Sequence, residues 1–176
     1  MNVGLLVLRV VVGGLFVGHG AQKLFGWFGG HGLRGTGSFF ESLGYWPGRL
    51  MAALAGLTEF GAGLLLALGL LTPIAAAGII GTMVNAMLAV HLKNGMWNTN
   101  GGMEFPIVMA ASASSLAFTG PGRFSLDRAL GLPMVGHGWG VAALLVGVGT
   151  GLALYFWRTL HVTAPAASEE QERRAA

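Results

Sequence analysis

Residues Gly4 to Phe25 read GLLVLRVVVGGLFVGHGAQKLF, and this stretch decides what kind of fold the chain adopts. It is long and apolar enough to cross a bilayer, which takes roughly 20 residues of α-helix. It nevertheless contains Arg9, and His19, Gln22 and Lys23 lie towards its end. Ionisable side chains are unfavourable in lipid and normally face a bundle interior, a cavity or the interface. The rest of the chain must therefore supply partners for these groups.

The composition agrees with a membrane protein. Of the 176 residues, 53% are hydrophobic and 10% are charged, whereas soluble domains carry about 25% charged residues. The chain has no cysteine, which excludes disulfides, thiol redox catalysis and cysteine-ligated zinc or iron–sulfur clusters. Its net charge of +3 is modest, so we expect membrane lipids and no nucleic acid among its partners. We also predict no metal site and no covalently bound cofactor.

Four more apolar stretches predict an all-α, polytopic membrane helical bundle. The first stretch lacks the basic start and the small-residue cleavage site of a signal peptide, so we expect it to remain as a span. The predicted organisation is a four-helix membrane domain over residues 1–132, an additional transmembrane helix over 133–158 and a flexible polar tail over 159–176. The second to fifth spans are predicted over residues 50–71, 74–91, 105–118 and 138–157.

The loop between the first two spans contains a predicted short helix. Ser38 and Glu41 have the spacing of a capping box, and Gly44 can close a helix. We therefore expect an interfacial helix near residues 38–44.

Two glycine pairs predict close helix packing. Gly14 and Gly18 have the GxxxG spacing in the first span, and Gly147 and Gly151 have it in the fifth. The fifth span, residues 138–157, contains no ionisable side chain. We interpret it as a surface for packing, or for contact with other membrane protein subunits.

The second span carries Glu59 near its middle. A carboxylate at that depth is unfavourable unless it is neutralised or paired. One interpretation is an internal ion pair, most naturally with Arg9. The other is a carboxylate that carries protons or binds a ligand, and the two interpretations are compatible.

Depth along the helices groups the polar residues into two sets, when each residue is given about 1.5 Å of rise. Towards the face where the first span ends, we predict a ligand-binding or proton-relay pocket made of His19, Gln22, Lys23, Glu59, His91 and Glu104. Towards the opposite face, we predict a structural polar network made of Arg9, Arg123, Ser125 and Asp127, in which Arg9 pairs with Glu59 or Asp127. We assign no catalytic residue. Two alternatives stay open: Lys23 could simply reach the head groups, and Glu104 could simply complement a helix dipole.

Basic residues are more numerous at the face where the first span ends. Under the positive-inside rule this predicts an external N-terminus and a cytoplasmic C-terminus. At that face lie Lys23, Arg34, Arg49, Lys93 and Arg158, and at the other lie Arg123 and Arg128.

Four motifs occur in order along the chain: LRVVVGGLFVGHGAQKLFGWFG, LTEFGAGLLLALGLLT, GGMEFP and TGPGRFSLD. Over about Leu5 to Leu130 they resemble the DoxX family of bacterial membrane proteins, whose usual form has four helices. The residues on the family's motif positions are Arg9, His19, Gly20, Lys23, Glu59, Gly102, Glu104, Gly120, Gly122, Ser125 and Asp127.

The resemblance implies a small bundle in the bacterial cytoplasmic (inner) membrane, associated with redox systems. The family is named after a subunit of a terminal oxidase that also relates to thiosulfate:quinone oxidoreduction. We therefore predict an auxiliary subunit of a membrane electron-transfer complex that contacts a quinone. The alternative is a purely structural or assembly subunit of a larger respiratory or photosynthetic membrane complex. No self-sufficient redox or hydrolytic site is visible in the sequence, which leaves enzymatic activity open.

Overall fold

The computed structural model describes residues 2–162, and over this range the chain is all-α with no strand. This confirms the predicted fold class. The helices are α1 (Asn2–Phe25), α2 (Gly32–Ser42), α3 (Gly48–Leu68), α4 (Thr72–Ala86), α5 (Glu104–Thr119), α6 (Leu126–Ala129) and α7 (His137–Val162). Helix α7 therefore extends into the predicted tail, and residues 163–176 of that tail lie outside the described residues.

Four helices within residues 2–162 are long and apolar enough to cross a membrane: Asn2–Phe25, Gly48–Leu68, Thr72–Asn94 and His137–Leu160. The third of them continues α4 through a π-helical turn, Met87–His91, and a short 3₁₀ turn. Helix α5, which we expected to be the fourth of five spans, has 16 residues. That is about 24 Å of helix, less than the about 30 Å of a hydrocarbon core.

The four helices α1, α3, α4 and α5 form a ring in which each packs against the next. Helix α7 packs outside α4 and α5, and α2 lies against α1 and α3. We call the end where α1 begins the amino end of the bundle, and the end where α7 finishes the carboxyl end. Large apolar side chains fill the centre, among them Val12, Phe16, Leu66, Ile79, Ile80 and Leu116.

Helices α1 and α3 approach closely along a glycine seam, formed by Gly13 and Gly20 of α1 with Gly56 and Gly63 of α3. A Cβ atom placed at Gly13 would lie 2.5 Å from the Gly63 carbonyl oxygen, and one at Gly20 would lie 2.7 Å from that of Gly56. Within each helix the two glycines are seven residues apart, so both face the partner helix. Small residues at such positions allow backbones to approach in membrane bundles.

The predicted contact through Gly14 and Gly18 is wrong. A Cβ atom at either position would meet nothing within 4 Å, so these glycines face away from other helices. The pair in α7 does pack, but inside the chain. A Cβ atom at Gly151 would lie 2.7 Å from the Gly81 carbonyl oxygen of α4, and the neighbouring Gly147 meets the same helix. The glycine face of α7 is thus used within the bundle.

Helix α2 (Gly32–Ser42) starts earlier than predicted. The capping box at Ser38 is wrong, because Ser38 lies inside the helix and the carboxylate of Glu41 accepts a hydrogen bond from Gly48 N (3.1 Å). Glu41 therefore stabilises the start of α3 instead. Gly44, at φ 89°, closes α2 as predicted.

Candidate functional site

The most buried ionic contact in the membrane part of the bundle joins α1 to α3. Lys23 Nζ lies 2.6 Å from Glu59 Oε2, and the Glu59 side chain is only 4% exposed. Glu59 is eleven residues after Gly48, which is about 16 Å along α3, so the pair lies well inside the hydrocarbon region. A Cβ atom at Gly56 would be 3.3 Å from Lys23 Cβ. The bare backbone of Gly56 therefore gives Lys23 room to lie along α3 towards Glu59.

The predicted pairing of Arg9 with Glu59 is wrong, because Lys23 occupies that carboxylate. Since α1 and α3 are antiparallel, Arg9 lies level with Gly69. Gly69 is ten residues beyond Glu59, or about 15 Å along the axis. The alternative that Lys23 only extends to the head groups is also wrong.

Two more of the predicted pocket residues lie beside the pair. The His19 ring is half-buried, packs on the Phe105 ring with 5.7 Å between centroids, and interacts electrostatically with both Lys23 and Glu59. Gln22 interacts with the His19 side chain and donates a hydrogen bond from Nε2 to the Phe28 carbonyl (3.1 Å). His19, Gln22, Lys23 and Glu59 thus form one connected group.

A cavity of about 290 Å³ adjoins this group at the carboxyl end. It exists because the loop after α1 folds back over the helix end: a Cβ atom at Gly30 would overlap the Gln22 backbone. Sequence reasoning missed the residues that α2 and this loop contribute, although the glycines that follow Lys23 signal a tight reversal. The lining residues are Gln22, Lys23, Gly29, Gly30, His31, Thr36, Phe39 and Phe40.

The two other predicted pocket residues organise the neighbouring loop. His91 Nδ1 lies 2.7 Å from the Gly101 carbonyl oxygen, and the Glu104 carboxylate accepts a hydrogen bond from Asn98 N (2.9 Å). Within residues 2–160, no hydrogen bond or ion pair joins either side chain to the Lys23–Glu59 pair. The structure therefore brings four of the six predicted residues together.

At the amino end, Asp127 stabilises the start of α4. Its Oδ1 accepts a hydrogen bond from Leu71 N (2.7 Å), and its Oδ2 accepts from Thr72 N (3.0 Å) and Thr72 Oγ1 (2.7 Å). Leu71 has a left-handed backbone (φ 50°), which is unfavourable for a leucine. The hydrogen bonds from Asp127 hold this turn and satisfy amide groups at the helix start that have no partner within the helix.

Arg9 is fully buried beside this turn. Its Nη2 donates to the Phe124 carbonyl oxygen, while Nε and Nη1 have no hydrogen-bond partner among the described residues. Asp127 interacts with it electrostatically, but the predicted direct pair does not form. A Cβ atom at Gly69 (φ 64°) would overlap Arg9 Nη1, so this position requires glycine.

The remaining network residues play smaller parts. Ser125 caps α6 by accepting a hydrogen bond from Arg128 N (3.3 Å), and it donates one to the Gly122 carbonyl oxygen (2.7 Å). Arg123 is exposed, and its backbone N donates to Asn2 Oδ1 (3.1 Å). Its guanidinium is therefore not part of the buried network.

A third polar cluster, at the carboxyl end, was not predicted. Tyr45, in the loop before α3, donates a hydrogen bond to Asn85 Oδ1 (2.5 Å). The Arg158 guanidinium lies over the rings of Tyr45 (5.7 Å) and Tyr155 (5.1 Å) and donates to the Ala89 carbonyl oxygen (3.4 Å). Burial raises the pKa of Tyr45, which keeps it a neutral donor.

These features define a multi-pass membrane protein: apolar helices of spanning length around a buried ion pair, with no group of three or more metal-ligating side chains within the described residues. The sequence profile of the DoxX family matches residues 4–92. The chain belongs to the DoxX family, as its motifs predicted.

Relatives of known source agree with this assignment. "Uncharacterized membrane protein Rv3486" of Mycobacterium tuberculosis is 32% identical, over 71% of this chain and 80% of that protein. "Putative oxidoreductase CatD" of Bacillus subtilis is 32% identical, over 72% and 86%. "Inner membrane protein YqjF" of Escherichia coli is 33% identical, over 73% and 93%. No solved structure matches the chain. The relatives and the apolar helices together identify a multi-pass protein of a bacterial inner membrane.

Proposed function

We propose that this protein is an auxiliary subunit of a membrane electron-transfer complex and that it binds the head group of a quinone beside Lys23 and Glu59. The observation that carries the proposal is the buried ion pair with a cavity next to it. Ionisable groups inside a membrane are rare and usually mark a functional site. One relative also carries the word oxidoreductase in its name.

The cavity has the chemistry that a quinone ring requires. An ammonium group offers three N–H donors, and Glu59 uses one of those of Lys23. The others can reach a carbonyl oxygen in the cavity that Lys23 and Gln22 line. The rings of Phe39 and Phe40 supply an apolar wall, and sites for small molecules are mostly apolar with a few polar groups.

The electrons would come from a partner. The chain has no cysteine and so no thiol or cysteine-ligated cluster to donate them. Reduction of a quinone to a quinol also takes up two protons, and His19 beside Glu59 is a suitable group to exchange them. This division of roles is why we propose an auxiliary subunit instead of a complete oxidoreductase.

The test is binding of a short-chain ubiquinone or menaquinone analogue to the full chain in mild detergent, measured by titration calorimetry. We expect Glu59→Gln and Gln22→Leu to weaken binding at least tenfold, because they release Lys23 from its position or remove a donor. Glu104→Gln is the matched control, since its carboxylate contacts only loop backbone, and it should bind like the parent chain. Equal binding by Glu59→Gln and the parent, or no binding by any chain, would contradict the proposal.

A structural or assembly subunit remains the second candidate, and the outward surface of α7 favours it. Leu145 is 68% exposed and Phe156 is 60% exposed, on a helix whose glycine face already packs on α4. If the site variants leave a co-purifying complex intact and active, while polar substitutions at these two residues dissociate it, the second candidate is correct.

We further propose that the N-terminus is external and the C-terminus cytoplasmic, because basic residues are more numerous at the carboxyl end. A C-terminal alkaline phosphatase fusion should be inactive and a C-terminal green fluorescent protein fusion fluorescent. The reverse pattern would overturn the orientation.

A further inference from the structure

A groove of about 400 Å³ runs between α3, α4 and α7, on a different side of the bundle from the Lys23–Glu59 cavity. Its floor is made of small residues of α4, including Gly78 and Gly81, and its walls include Leu54 of α3 and Leu154 of α7. Between Ile74 and Asn85 it extends about 16 Å along α4. This is close to the about 15 Å depth of hydrocarbon in one leaflet.

The groove ends at the polar cluster of Tyr45, Asn85 and Arg158. Tyr45 and Asn85 line the groove, and Arg158 stacks on Tyr45. The aromatic residues beside Arg158 in α7, Tyr155 and Trp157, are typical of the level of lipid head groups. The groove therefore has an apolar length and a polar end at an interface.

Arg158 carries a charge that the described residues do not neutralise. Its contacts are with two aromatic rings and one carbonyl oxygen, and all of these groups are neutral. Its Nε is buried without a hydrogen-bond partner among the described residues. A guanidinium in this position favours a phosphate, which it can bind through charge and paired N–H donors.

We propose that the groove binds one anionic phospholipid, with the phosphate on Arg158 and one acyl chain along α4. The π-helical turn Met87–His91 contributes to the site, because Arg158 is held by the Ala89 carbonyl oxygen within that turn. Such turns often occur at functional sites. The proposal does not depend on the quinone site.

The test uses the full chain reconstituted in phosphatidylcholine nanodiscs that contain a small fraction of phosphatidylglycerol, followed by native mass spectrometry of the protein released into mild detergent. We expect one retained phosphatidylglycerol. Arg158→Gln should reduce retention at least tenfold, and Arg158→Lys should retain more lipid than Arg158→Gln. Ala55→Phe, which fills the groove without changing charge, should also reduce retention.

Two controls separate this site from general charge and from the quinone site. Arg49→Gln removes an exposed arginine at the same end and should retain the lipid. Glu59→Gln should retain it as well. Equal retention by Arg158→Gln and Arg49→Gln would overturn the proposal, as would equal retention of phosphatidylcholine. Lipid binding that occurs only after deletion of residues 163–176 would also overturn it, because the acidic tail and not a lipid would then be the partner of Arg158.

Discussion

Lys23→Met is expected to lower the free energy of unfolding by about 3–5 kcal/mol, the range observed when one partner of a buried ion pair is removed. The substitution leaves Glu59, which is 4% exposed, without its cation. Glu59→Gln should be less damaging, because the Lys23 side chain is 23% exposed and can turn towards the interface. The double variant should recover most of the loss, since it leaves no unpaired charge.

The measurement is unfolding in mixed detergent micelles with increasing dodecyl sulfate, followed by far-ultraviolet circular dichroism. The four chains form a double-mutant cycle, which isolates the coupling between the two side chains. Lys93→Met, an exposed lysine at the same end, is the control and should stay within about 0.5 kcal/mol of the parent. Additive effects of the two site substitutions would show that Lys23 and Glu59 are not coupled.

The sequence predicted which segments form helices, because apolar runs interrupted by glycine, proline and polar turns are read along the chain. It predicted the closing of α2 at Gly44, since positive φ at that point favours glycine. It also predicted that Ser125 and Asp127 belong to a fixed turn, although the target of Asp127 is the start of α4, which is distant in sequence.

The partner of Glu59 could not be predicted, because sequence gives the depth of a residue in a helix but not the rotation of that helix. Arg9 and Lys23 both lie on α1, and only the register of α1 against α3 selects Lys23. His91 and Glu104 were placed at the correct end, yet their hydrogen bonds depend on the path of the loop backbone. The cavity depends on that kind of information too, since a loop forms one of its walls.

The glycine seam is the feature on which the ion pair depends, and Gly20→Ala is expected to lower the free energy of unfolding by about 1–3 kcal/mol, as overpacking usually does. A Cβ atom there would lie 2.5 Å from Phe60 N and 2.7 Å from the Gly56 carbonyl oxygen, and neither backbone atom can move without moving α3. Gly18→Ala is the matched control two residues away. Its Cβ would meet nothing within 4 Å, so it should be neutral or stabilising by up to about 1 kcal/mol.

The two substitutions also separate packing from electrostatics. If the seam holds Lys23 against Glu59, the coupling energy of the Lys23→Met and Glu59→Gln cycle should fall in a Gly20→Ala background and stay unchanged in a Gly18→Ala background. Gly13→Ala, farther from the pair in the same seam, should destabilise the bundle and change the coupling less. A coupling energy that is the same in all three backgrounds would mean that the ion pair forms independently of the seam. Such a result would make the pair a flexible interfacial contact and would remove the preorganisation on which the proposed quinone site depends.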